Sequence, residues 1–366
     1  MVRGKPVDKL LLGIIGIILV AGFIIFTSAS LGLLARSSGA SFSHVLMTQL
    51  GAVFLGCIIA YVTSKIRYTF WRRWSFFIFL ASLFITLLVF VPSIGLEYGG
   101  GKRWIDLRFT SFQPAELLKI AFVMYAAAWL SSCKDKEVTF RKGMLPLVVM
   151  LVITGGILLK QPDTDTLVSI FLAGMGMFIV AGGKFRHLLI LFIISAIGLS
   201  ALIFMRPYLM QRVTTFLNPS ADPLGAGYQI QQSLIAIGSG EMFGRGFGQS
   251  IQKFSYLPEP IGDSIFAVAA EEFGFIGAVS LVVMFLFFTL RSFKIAGRAP
   301  DAYGGLLTVG IVILIVSGSF MNIASMLGLM PLSGLPLLFV SHGGSAMFFA
   351  LFQVGIILNI SKFRKS

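Results

Sequence analysis

At the end of a long polar stretch, Glu259-Pro260-Ile261-Gly262-Asp263 places a carboxylate directly before an apolar run. An aspartate there can cap a helix by accepting hydrogen bonds from its first free N–H groups. It can also serve as a general base, its pKa drawn up by partial desolvation and down by the helix N-terminus. The same stretch carries Arg206, Arg212, Arg245 and Lys253, and an earlier polar segment carries Lys102 and Arg103. Cations beside a carboxylate suit chemistry on a phosphate-bearing lipid, since they can hold phosphate while the acid takes a proton. A solvated loop with a few basic residues is the competing reading.

Three further acidic places lie in or beside apolar runs, where a charge needs a partner or a water-filled cavity. Glu116 and Lys119, just after Pro114, share a helix face and can pair, either to lock packing or to line a cavity. Asp163 and Asp165 fall in the polar break Gln161-Pro162-Asp163-Thr164-Asp165, where a helix cap is expected more of Asp165 than of Asp163. Glu271 and Glu272 are adjacent, so at least one must face the interior of a bundle. The glycines at 238, 240, 244, 246 and 248 permit tight turns, yet they lack the strand-turn-helix setting of a nucleotide loop, and no Walker A sequence occurs.

The elements that must position these groups are membrane helices. With 57% hydrophobic and only 12% charged residues among 366, a water-soluble core could not hide the apolar surface. Runs near the roughly 20 residues that span a bilayer occur at about 10–29, 46–64, 74–94, 114–131, 144–160, 165–182, 187–205, 264–289, 304–326 and 342–361. None alternates with period two, so the expected fold is an all-α integral membrane protein. It is one domain over 1–366, a polytopic bundle of about ten transmembrane helices with a large extracytoplasmic loop at about 206–263, between spans 7 and 8. Seven aromatic residues in that loop argue that it folds back over the mouth of the bundle.

Charge sets the orientation. With both termini in the cytoplasm, 19 of the 29 Lys and Arg collect in six short inside segments, including Arg3, Lys5, Lys9, Lys134, Lys136, Arg291, Arg298 and Arg364. Asp8, Asp135, Glu137 and Asp301 are the only acids beside them. The net charge of +14 is therefore a topology signal, and it forms no single basic stripe for nucleic acid. Cys57 and Cys133 fall at different depths, which argues against a disulfide, and His44, His187 and His342 show no ligand spacing.

The strings Asn218-Pro219 to Ser233, Gly238-Ser239-Gly240, Gly244-Arg245-Gly246 and Lys253-Phe254-Ser255-Tyr256-Leu257-Pro258-Glu259-Pro260 resemble the SEDS family of cell-shape and division proteins. So do Arg103-Trp104-Ile105, Gln113 to Lys119, Gln161-Pro162-Asp163 and Ser341 to Ser345. The similarity runs through nearly the whole chain and leans to the FtsW and SpoVE branch over RodA. It implies a peptidoglycan glycosyltransferase of the bacterial cytoplasmic (inner) membrane that polymerises lipid II, an undecaprenyl-pyrophosphate disaccharide peptide. The implied linkage is beta-1,4, made with inversion. The implied partners are a class B penicillin-binding protein and other divisome or elongasome proteins. By the same resemblance Asp263 matches the essential aspartate and is assigned as base. Glu116 and Lys119 match a charged pair in the central cavity, and Asp163 matches the aspartate of a Gln-Pro-Asp motif. Glu259 supports the site, while Arg212, Arg245, Lys253 or Lys102 hold phosphate, together with a divalent cation (Mg or Mn) if one is used and no nucleotide.

The chain departs from that pattern near the aspartate. The family usually carries His-Thr before it and Phe after it, where this chain has Ile261-Gly262 and Ser264. Glu241 replaces a usual glycine, and His342 stands where tyrosine is common. The alternatives to catalysis are transport of lipid II across the membrane and a scaffold that recruits the penicillin-binding protein.

Overall fold

The computed structural model describes residues 6–35, 42–98, 101–106, 111–133 and 140–365. Arg3, Lys5, Lys134, Lys136, Asp135 and Glu137 lie outside them. The chain begins with α1 (Lys9–Ser30), α2 (Phe42–Lys65) and α3 (Tyr68–Leu87). A small antiparallel sheet follows, of β1 (Gly95–Tyr98), β2 (Gly101–Asp106) and β3 (Ser111–Phe112), in the order β1-β2-β3. Next come α4 (Pro114–Ser132), α5 (Leu145–Lys160), α6 (Thr164–Val180) and α7 (Phe185–Met205). The large loop holds α8 (Pro207–Leu217), α9 (Tyr228–Ser239) and α10 (Gln252–Ser255). The chain closes with α11 (Ile265–Gly297), α12 (Ala302–Met326) and α13 (Gly344–Ser361).

Nine described helices are long and apolar enough to cross a membrane, and the apolar α6, at 17 residues, makes the expected tenth. The sequence predicts a third span to residue 94 and no sheet; α3 instead ends at Leu87, a 3-10 turn finishes at Phe90 and the sheet follows. Buried positions fill 78% of the most apolar window in both α12 and α13 but 11% in α7, so the first two form the centre and α7 the edge. Exposed Phe54, Phe77, Phe192, Ile194 and Phe287 cover outer faces, as expected where the surrounding solvent is hydrocarbon.

Asp8, Arg291 and Arg364 meet at one end of the bundle. Asp8 caps α1 through Leu11 N–H (3.0 Å) and also accepts from Arg291 (2.9 and 2.6 Å) and from Arg364. At the opposite end, the long α11 is broken at Gly274 (φ 67°, ψ −168°). A β-carbon there would collide with Gly244 N and the Met242 carbonyl, so only glycine lets the loop approach this closely. The freed N–H groups of Phe275 and Ile276 donate to the carbonyls of Glu241 and Met242 (2.8 and 3.2 Å). In return, Arg245 and Gly246 N–H donate to the carbonyls of Glu271 and Glu272 (3.0 Å each). Glu241 adopts a left-handed backbone (φ 48°), the conformation in which glycine is usual.

Candidate active site

Asp263 lies between α10 and α11. Glu259 takes a left-handed conformation (φ 45°), and its carbonyl accepts from the N–H groups of Gly262 (3.0 Å) and Ser264 (3.2 Å), which curls the segment into a tight loop. Ser264 occupies the N-cap position of α11, and no side chain caps that helix. The Asp263 carboxylate is thus released from the local duty that its position suggested. Its backbone is held by α12 and by the segment joining α12 to α13. Asn322 Nδ2 donates to the carbonyls of Asp263 (2.7 Å) and Leu335 (2.9 Å), Ser341 Oγ donates to the Gly262 carbonyl (2.8 Å), and His342 N–H donates to that of Ile261 (2.7 Å). Ile261 and Gly262 are therefore fixed through their backbone, whatever their side chains.

Burial, then the carboxylates of Glu259 and Asp165, push the Asp263 carboxyl up to about 7, against the pull of Arg212 and Arg103. Glu259 belongs to the loop itself, while Asp165, Arg212 and Arg103 arrive from α6, α8 and β2. Asp163 caps α6, accepting from Thr166 N–H (3.3 Å), and its other oxygen is buried without a hydrogen-bond partner among the described residues. Burial raises its pKa, and Arg103 opposes the shift. The expected order of the two aspartates is reversed: helix α6 starts one residue after Asp163, which leaves Asp165 in the first turn with its carboxylate turned outward. Asp165 Oδ2 accepts from both Arg212 Nη1 (3.0 Å) and Gly334 N–H (2.9 Å). Arg103, on β2, binds the Gln161 carbonyl (3.1 Å) and that of Pro162, so it braces the turn before α6.

A cleft of about 420 Å³ opens beside this cluster, lined by Arg103, Pro162, Tyr208, Gln211, Arg212, Thr215, Ala226 and Leu332. Tyr208, Gln211, Arg212 and Thr215 follow the i, i+3, i+4, i+7 spacing that puts them on one face of α8. Gly334 sits where the pieces meet: a β-carbon there would stand 3.8 Å from Asp165 Oδ2 and 4.0 Å from both Arg103 Nη1 and Asp263 Oδ2.

The other expected site residues lie apart from this cluster or at its rim. Lys253 is fully buried and bound to Glu272 (2.6 Å) and Ser28 Oγ (3.0 Å), so it offers no charge to the cleft. Arg245 stands 3.6 Å from Glu271, beside the break in α11, and Lys102 faces Glu97 (4.0 Å) across the β1–β2 pair. Glu271 and Glu272 are both buried, the former accepting from Ser250 Oγ (2.5 Å). Glu116 and Lys119 form a buried pair (2.7 Å) within α4. Glu259 is exposed at the rim. Of the four cations expected to hold phosphate, Arg212 alone lines the cleft, and Arg103 joins it. Asn322 and Gly334 were missed, and only the polar breaks around them in apolar sequence could have marked them; Ser341 stood in the family string Ser341 to Ser345 without a role of its own. Among the described residues no group of three or more His, Cys, Asp or Glu side chains is placed to hold a metal ion.

The fold and the cleft define a polytopic helical membrane protein with an acid-and-arginine site built by its loops at one end of the bundle. The family model described as Cell cycle protein, that of FtsW, RodA and SpoVE, matches residues 8–366, and the chain belongs to this family. It is 38% identical over 311 residues to stage V sporulation protein E of Bacillus subtilis, covering 85% of each chain. It is 37% identical over 361 residues to the probable peptidoglycan glycosyltransferase FtsW of Geobacter sp. (strain M18), covering 99% of this chain and 98% of that one. Among solved structures, a chain from work on coordinated polymerization and crosslinking by a peptidoglycan synthase complex superposes with TM-score 0.80 at 25% identity, covering 97% of each. The rod shape determining protein RodA of Thermus thermophilus superposes with TM-score 0.71 at 24% identity, covering 98% of each, which bears on the fold.

Proposed function

We propose that this chain is a peptidoglycan glycosyltransferase that polymerises lipid II, with Asp263 as general base. The observation that carries the reading is a carboxylate freed from helix capping, held near a pKa of about 7 and set beside two arginines at a cleft. A group poised there can accept a proton from a sugar hydroxyl at neutral pH. In the step, Asp263 takes the proton from the 4-hydroxyl of the acceptor sugar. The oxygen forms a bond to the anomeric carbon of the donor as the bond from that carbon to the pyrophosphate breaks. One displacement inverts the alpha-linked donor to a beta-1,4 product. The lipid pyrophosphate leaves with the electron pair, and Arg212 and Arg103 offset the charge that develops on it.

The chain acts as one domain in this reading. Family membership supports the bacterial cytoplasmic membrane as its location, and the 19 basic residues assigned to one side support cytoplasmic termini. A class B penicillin-binding protein is the proposed partner, by analogy with the peptidoglycan synthase complex. The test is synthesis of glycan strands from lipid II by purified protein with its cognate transpeptidase, comparing the native chain with Asp263→Asn. Loss of polymer in a variant that stays folded and bound to its partner supports the reading. Absence of polymer from the native pair overturns it.

A further inference from the structure

The acid at position 165 is held as a phosphate oxygen would be. Its Oδ2 receives two donors at once, Arg212 Nη1 at 3.0 Å and the backbone N–H of Gly334 at 2.9 Å. A guanidinium and a main-chain N–H converging on one oxygen make a common anion seat. Arg103 approaches the same glycine, so a second cation borders the seat. The seat opens on the cleft that Arg103 and Arg212 line, and Arg212 keeps 29% of its side chain exposed, so a ligand entering the cleft reaches it. As the structure stands, the two donors are spent on an internal carboxylate.

We propose that Asp165 is a resident stand-in for the pyrophosphate of an isoprenyl-linked substrate, occupying the seat of Arg212 and Gly334 until that group displaces it. This deepens the glycosyltransferase reading and rests on it for the identity of the ligand. The pair is partly open to solvent, so Asp165 can be displaced by a group that offers two or more charged oxygens to the same guanidinium. While seated, Asp165 lowers the net positive charge of the cleft and so weakens capture of weaker anions. Asp165 thereby acts as a positioning and selectivity residue and touches none of the reacting atoms. A pyrophosphate in its place keeps negative charge near Asp263 and preserves the basicity of that carboxylate.

The experiment measures binding of farnesyl pyrophosphate, inorganic pyrophosphate and inorganic phosphate to the purified full chain in detergent, by calorimetry. Asp165→Asn keeps the shape of the side chain and removes its charge. The variant is expected to bind both pyrophosphates about tenfold tighter and to gain affinity for inorganic phosphate. A gain with farnesyl pyrophosphate alone assigns the seat to a lipid headgroup, whereas equal gains assign it to the pyrophosphate unit itself. Adding Arg212→Gln to Asp165→Asn should remove the gain. Unchanged or weaker binding in Asp165→Asn overturns the proposal and leaves the pair as a structural tie. Asp165→Ser, compared by thermal unfolding, replaces the first variant where Asn does not fold. In lipid II polymerisation, Asp165→Asn should move the acid limb of the pH profile downward, since a carboxylate near Asp263 is lost while Glu259, Arg212 and Arg103 stay. The two readings fail separately. Polymer from the native chain without a gain in the variant sinks only the stand-in, and a gain without polymer from the native pair sinks only the glycosyltransferase.

Discussion

Asn322 in α12 donates one amide group to two carbonyls, that of Asp263 at 2.7 Å and that of Leu335 at 2.9 Å, and so ties the loop carrying the acid to the segment carrying Gly334. The amide is buried, and replacing it with a side chain that lacks donors leaves two carbonyls to be satisfied elsewhere. Asn322→Leu should lower the rate of lipid II polymerisation by about 10- to 100-fold, because a shift of about 1 Å in a base is enough for that loss. The fall should appear in kcat more than in KM. A variant that keeps native kcat would show that the tie does not position Asp263.

The pH profile follows from Asp263 itself. As a base it must be ionised, so kcat/KM should fall as pH drops through about 7 and level off above about 8. The same shift has a stability consequence. A carboxyl with a raised folded pKa holds its proton where the unfolded chain has already lost it, so stability falls as pH rises from about 4 to about 7. Asp263→Asn should therefore abolish polymerisation and raise the unfolding temperature at pH 8 relative to the native chain. A native profile flat from pH 5 to 8 would rule out Asp263 as the titrating base.

What the sequence carried best was what one helix decides alone. The spans were legible because each needs a long apolar run, and the Glu116–Lys119 pair because three residues bring two side chains to one helix face. The split between Asp163 and Asp165 was not legible, since either can cap and the choice depends on Arg212 and Gly334, which lie 47 and 169 residues away. Lys253 read as a surface cation because its neighbours are loop residues. Its partner Glu272 and the serine beside it reach it only after α11 breaks and α1 packs alongside. The β1–β3 sheet was hidden because its strands are only two to six residues long.

The buried pair of Lys253 and Glu272 predicts asymmetric damage. Lys253 Nζ is fully enclosed between Glu272 Oε1 and Ser28 Oγ. Lys253→Met leaves Glu272 without its cation and should cost about 3–5 kcal/mol in reversible unfolding. Adding Glu272→Gln should recover more than half of that loss, because the stranded charge is gone. Additive costs in the double variant would mean that the two residues do not act as a pair.

Asp8 gives a test at the other end of the bundle. It is 1% exposed, caps α1, and accepts from Arg291 and Arg364, so one carboxylate joins the start of the first helix, the end of α11 and the chain's last residues. Burial alone would raise its pKa, but the hydrogen bonds and charges of Arg291, Leu11 N–H and Arg364 outweigh it and hold the carboxyl below 3.8. A depressed acid stabilises the fold above its unfolded pKa and loses that contribution as pH falls through the folded value. Asp8→Asn should thus destabilise the chain by about 1–3 kcal/mol at pH 7, with the same penalty at pH 6. The gap between variant and native unfolding temperatures should narrow only below about pH 4, where the native carboxylate is also protonated. A gap that already closes between pH 7 and 5 would mean that burial pushes the Asp8 carboxyl above its ordinary range and that the two arginines do not hold it down.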